Sequence, residues 1–98
     1  MTPDQFRDHV TELGVLADLQ QIARKHGLSR VEALCTHTRV RNISHARGDA
    51  CLFLCERFPS LSYPALGKML GGFDHTSILR AVRAARERRT AGHPKENA

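Results

Sequence analysis

The segment Gly71-Gly72-Phe73-Asp74-His75-Thr76-Ser77 stands directly before a basic run containing Arg80, Arg83, Arg86, Arg88 and Arg89. His, Thr and Ser have the size and polarity to hydrogen-bond base edges or phosphates, and a Thr methyl can touch thymine. Asp74 is placed to cap a helix by accepting from the backbone N–H of Thr76 or Ser77. His75, Thr76 and Ser77 then stand at the exposed tip of that helix. Arg80 and Arg83 point away from its apolar face, together with Thr76, and suit contacts to a phosphate backbone. The alternative is an amphipathic helix with a solvated arginine face. Catalysis is not expected. Adjacent residues on one turn project in different directions, and no second carboxylate, activated nucleophile or oxyanion loop is placed to complete a site.

The elements that must hold this tip read as helices throughout, with no period-2 run of β-branched or aromatic residues. Thr2-Pro3-Asp4-Gln5 opens a first helix with a capping box and proline at its first position. Phe6, Val10, Leu13, Leu16, Leu19, Ile22 and Ala23 continue an apolar stripe to His26, with Gly14 as a place to break or bend it. Ser29 to Glu32 reads as a second capping box, opening a short helix to Leu34 or Cys35. Residues 36–42 read as a polar, basic loop. Ser44 is expected to cap a third helix that Pro59 stops. Ser62 caps a short helix with Pro64 in its first turn and Leu66, Met69 and Leu70 inward. Gly71-Gly72 then turns the chain into a final helix to about Arg89. A short helix, a glycine turn and a longer basic helix make a helix-turn-helix, within a small all-α bundle of about five helices.

The 98 residues allow a single core, and 41% hydrophobic with 26% charged is ordinary for a folded chain. The charge is more informative. Residues 1–28 hold three basic and four acidic side chains, whereas residues 29–98 hold twelve basic and six acidic. The net +5 therefore sits in the back of the chain, as expected for a polyanion partner. No apolar run has the length of a membrane span, and the first residues lack the order of a secretory signal. There is no phosphate-binding glycine-lysine loop, so no nucleotide cofactor is expected. With one Tyr, four Phe and no Trp there are few surfaces for stacking single-stranded bases. Three cysteines without framework spacing suggest a reducing, cytoplasmic setting. Cys51 and Cys55 are four apart near Cys35, His37 and His45, but four converging ligands are not indicated. They are expected to be small buried hydrophobes, with no metal.

At Gly71 to Leu79 the sequence resembles the C-terminal DNA-binding domain of the bacterial replication initiator DnaA, whose pattern there runs Gly-Gly-Arg-Asp-His-Thr-Thr-Val-Leu. Ser62-Tyr63-Pro64-Ala65-Leu66-Gly67 resembles that family's Ser-Leu-Pro-Glu-Ile-Gly. Arg39-Val40-Arg41 is similar to its basic loop, Ala46-Arg47 to its Pro-Arg, and Leu19 to Leu34 to its opening helices. The resemblance covers roughly residues 15–89. It implies sequence-specific binding of duplex DNA, at a nucleoid-associated cytoplasmic location. Base reading would fall on His75, Thr76 and Ser77, with Asp74 as cap and contact. Arg39 would reach the minor groove, with Arg41 in reserve. Arg41, Arg47, Pro64, Lys68, Arg80 and Arg83 would lie along the DNA backbone.

Several positions depart from the pattern. Phe73 stands where the family has a DNA-contacting arginine, Gly48 replaces a glutamine, His45 an arginine, and residues 58–63 are one longer. The initiator's ATPase module is not part of this resemblance. The expectation is a small DNA-binding regulator or accessory factor acting at initiator-like boxes. The alternative is a protein-interaction module whose basic helix meets an acidic partner, which Phe73 favours. Residues 1–14 are expected as a helical extension that either packs on the bundle or, with Phe6 and Val10 exposed, serves a homodimer. Residues 15–89 form the binding domain and 90–98 a flexible tail.

Overall fold

In the computed structural model, which describes residues 2–37 and 40–97 with side chains as far as Thr90, five α-helices and one short 3-10 helix carry the chain. Among the described residues there is no strand. The architecture is the all-α helix-turn-helix expected from sequence.

Helix α1 (Pro3–Glu12) begins as its first residues dictate. The Thr2 hydroxyl accepts from the Gln5 N–H at 3.2 Å, and the Gln5 carbonyl oxygen accepts from the Thr2 N–H at 2.9 Å. The apolar stripe to His26 does not form one helix. Gly14 takes the left-handed conformation at φ +78°, and α2 (Leu16–Lys25) starts afresh. Glycine reaches that region without the Cβ penalty other residues meet. The break folds α1 back, so that Phe6 and Val10 are wholly buried in the same core as the rest of the chain. Of the two alternatives for residues 1–14, packing on the bundle is the one seen. The apolar pair a homodimer was expected to use faces inward, against the 3-10 helix (Val31–Cys35).

That 3-10 helix begins after Arg30, with no side-chain cap, so the capping box expected from Ser29 is absent. Its start follows the closure of α2, where the Gly27 and Leu28 N–H groups bond the carbonyls of Arg24 and Ala23. Val31, Leu34 and Cys35 then reach the core within five residues. Helix α3 (Arg41–Arg57) starts three residues before Ser44, because the Ser44 N–H is already bonded to the Val40 carbonyl at 2.9 Å. Arg41 thus stands in the first turn of α3 and not in the loop.

Helix α4 (Tyr63–Met69) forms as expected, with the Ser62 hydroxyl accepting from Ala65 and Pro64 in the first turn. Gly71 and Gly72, at φ +99° and +97°, turn the chain into α5 (His75–Asn97). Helical backbone runs on past the expected stop at Arg89, and the Thr90 hydroxyl donates to the Arg86 carbonyl at 3.0 Å. Gly92 and Pro94 do not end it, although both are poor interior helix residues.

Helices α3 and α5 pack closely because their facing residues are small. A Cβ on Gly48 would stand 2.8 Å from the Ala81 carbonyl oxygen. Ile78, Val82 and Ala85 are buried along the seam. Burial of an Ile or Val contributes about 1.5–3 kcal/mol, against about 0–1 kcal/mol for an exposed ion pair, so the apolar seam fixes α5.

Candidate nucleic-acid interface

The opening of α5 presents Asp74, His75 and Ser77 to solvent, with Thr76 half-buried beside them. The Asp74 carbonyl accepts from the Ile78 N–H at 3.1 Å, which places Asp74 at the capping position. Its carboxylate does not make the expected bond to the helix backbone. Oδ1 lies 3.2 Å from Nδ1 of His75. The gain of this arrangement is orientation, since both side chains are about two-thirds exposed and the pair is weak in energy.

Arg80 and Arg83 follow Thr76 by one and two turns and are exposed on the same side of α5. Arg88 and Arg89, by contrast, are engaged within the fold. Arg88 Nη2 donates to Asp49 Oδ1 at 3.1 Å and to the His45 carbonyl at 3.2 Å. Arg89 makes a two-pronged pair with Glu56, at 3.0 and 2.9 Å, which holds the Glu56 carboxyl below its ordinary range. The basic run of α5 therefore divides into a forward half that faces solvent and a rear half that includes two arginines tied to α3.

Pro64 and Lys68 lie one turn apart on α4, and both are exposed. Arg41 is exposed in the first turn of α3. Arg39 lies outside the described residues. Arg47 departs from expectation. It is only 8% exposed, and its guanidinium donates to the Thr36 carbonyl at 2.7 Å, with Leu34 at 3.5 Å. It therefore grips the end of the 3-10 helix from α3 and does not project toward a phosphate. Burial lowers its pKa, though an arginine stays protonated even so.

Phe73 also differs from its sequence reading as a lost arginine at the reading edge. Its half-buried ring stacks on His37, 4.1 Å between centroids and 14° from parallel. The Arg47 guanidinium carbon lies 4.3 Å from the same centroid. His37, which sequence reasoning considered only as a stray metal ligand, is thus joined to the helix-turn-helix. The one sequence signal for it was the unexpected aromatic at Phe73, which needed a partner.

These groups line an open groove between the start of α3 and the face of α5, shared by His37, His45, Phe73, Ser77 and Arg80. Desolvation, then Arg88 and Arg41, hold the His45 imidazole below its ordinary range. Cys35 and Cys51 are buried and Cys55 is half-buried. Among the described residues, no three groups are arranged to hold a metal ion. No helix among them is long and apolar enough to cross a membrane.

Residues 17–84 match the family model described as the bacterial dnaA protein helix-turn-helix. The chromosomal replication initiator protein DnaA of Magnetococcus marinus is 38% identical over 64 residues, covering 65% of this chain and 14% of that protein. That of Gloeobacter violaceus is 32% identical over 82 residues, covering 84% and 17%. That of Rhizobium meliloti is 33% identical over 90 residues, covering 86% and 18%. The chain thus spans less than a fifth of the length of these curated relatives. No solved structure matches it.

Proposed function

The chain belongs to the bacterial DnaA helix-turn-helix family, a DNA-binding family, and from that premise we propose that it reads duplex DNA by sequence as a regulator or accessory factor at initiator-like boxes. The observation that carries this reading is the solvent-facing opening of α5, where His75, Thr76 and Ser77 precede Arg80 and Arg83 on an exposed face. A recognition helix enters the major groove by such an N-terminal tip, while basic side chains on its flank meet phosphates. Arg41, Pro64 and Lys68 extend the backbone contacts from neighbouring helices. The action is occupancy of DNA, without a chemical step.

Selection of bound duplexes from a random pool tests the reading. An enriched motif is expected. Recovery of unenriched sequence, with binding that depends only on salt, would overturn it. Phe73, the feature that favoured a protein-interaction module, is half-buried against His37 and Arg47, so packing within the fold accounts for it as well.

A further inference from the structure

Four contacts converge where the basic loop meets the helix-turn-helix. The His37 and Phe73 rings stack. His37 Nε2–H donates to the Gly71 carbonyl at 3.0 Å, inside the turn that leads to Phe73. Arg47 lies over the Phe73 ring, and the same guanidinium donates to the Thr36 carbonyl, one residue before His37. Thr36 and His37 begin the loop between the 3-10 helix and α3. They are therefore held from two directions, by an arginine of α3 and by the turn before α5.

We propose that His37 and Phe73 form a positioning pair that locks Thr36 and His37 to the turn before α5, so that the groove this pair shares with the recognition helix meets DNA in one fixed register. The proposal rests on the DNA-binding reading and deepens it. An arginine at residue 73 would add a charged contact to DNA. A phenylalanine there adds none, but it fixes in advance how Thr36 and His37 sit against the turn before α5. Ordering Thr36 and His37 before binding removes an entropic cost that would otherwise fall on the complex. The turn supplies the matching acceptor, because the left-handed Gly71 presents its carbonyl to the imidazole.

The test selects bound duplexes from a random pool with the wild-type chain, His37→Ala, Phe73→Ala and Phe73→Tyr. Unfolding midpoints are measured for each. His37 is exposed, so His37→Ala tests the proposal even where Phe73→Ala does not fold. For the alanine variants, affinity for the wild-type selected site is expected to fall about three- to tenfold, the range an aromatic pair supports. Preference should be lost at one flank of the motif and kept at the other, and binding to random duplex at the same salt should be unchanged. Phe73→Tyr keeps the stack and should restore the wild-type motif. An undiminished motif in His37→Ala, or an equal loss at all positions and on random duplex, would overturn the positioning role alone. A wild-type chain that enriches no motif overturns this role and the DNA-reading assignment together.

Discussion

Arg88 on α5 donates to the Asp49 carboxylate on α3 at 3.1 Å, and the other oxygen of that carboxylate accepts from His26 Nε2 at 2.6 Å. One side chain therefore joins the recognition helix, the central helix and the end of α2. Asn42 adds a bond from the first turn of α3 to the His26 carbonyl at 3.2 Å. Charge-assisted bonds of this kind are stronger than neutral ones, and Asp49 is only 26% exposed. Asp49→Ala is expected to lower stability by about 1–3 kcal/mol, because it removes the carboxylate that Arg88 and His26 share and leaves Arg88 only the His45 carbonyl. Urea unfolding measures this. A change under a few tenths of a kcal/mol would mean the network is ornamental.

Gly67 is the tightest approach between α4 and the turn. Its carbonyl accepts from both Gly72 and Phe73 at 2.9 Å, and a Cβ there would collide with the Phe73 carbonyl oxygen. Backbone cannot swing aside as a long side chain can. Gly67→Ala is expected to destabilise by about 3 kcal/mol or more. A thermal melt close to that of the wild type would show that α4 can shift without loss.

Thr76 and Arg80 should separate reading from holding. Thr76→Ala is expected to lower discrimination between the selected site and a scrambled one by about 1–3 kcal/mol per lost base contact. Arg80→Ala should weaken both duplexes alike and make the salt dependence shallower. Competition binding at two salt concentrations resolves the two patterns. If Arg80→Ala lost only the selected site, the roles would be exchanged.

Stability should decline in alkali through buried thiols. Burial pushes Cys51 up to about 12 and Cys35 up to about 11 from an ordinary 9.0. Above pH 9 the unfolded chain ionises these thiols while the folded one keeps them protonated. The unfolded state then binds fewer protons, so unfolding becomes easier as pH rises. Below pH 9 the contribution is complete, and it is lost progressively as pH climbs toward the folded values. Each thiol accounts for at most about 1.4 kcal/mol per pH unit in that window. Cys51→Ala should show a shallower alkaline decline than the wild type in denaturant titrations at pH 8 and pH 10, whatever its starting stability. Parallel declines would discount the thiol.

Much of the helix-turn-helix was legible because its signals are local. Ser62 and Pro64 open α4, and paired glycines turn the chain before Asp74, each through bonds made within a few residues. The start of α3 was not legible, because its cap position is Val40, with no side-chain bond, while Ser44 imitates a cap from inside the helix. The candidate site divides in the same way. The exposed tip at His75 to Ser77 follows from helix geometry. The burial of Arg47 does not, since its acceptors are carbonyls that only the folded loop supplies. The stack of His37 on Phe73 joins residues distant in sequence, and no periodicity encodes it.

The inward turn of α1 bears on how the chain can be divided. Phe6 and Val10 seal one end of the bundle, beside the Val31 and Leu34 side chains that are themselves wholly buried. A fragment trimmed to the family-matching segment would keep the entire reading surface but open that end to water. The residues proposed to meet DNA and the residues that close the core therefore have different minimal spans in this protein, and the longer is set by a helix far in sequence from the reading tip.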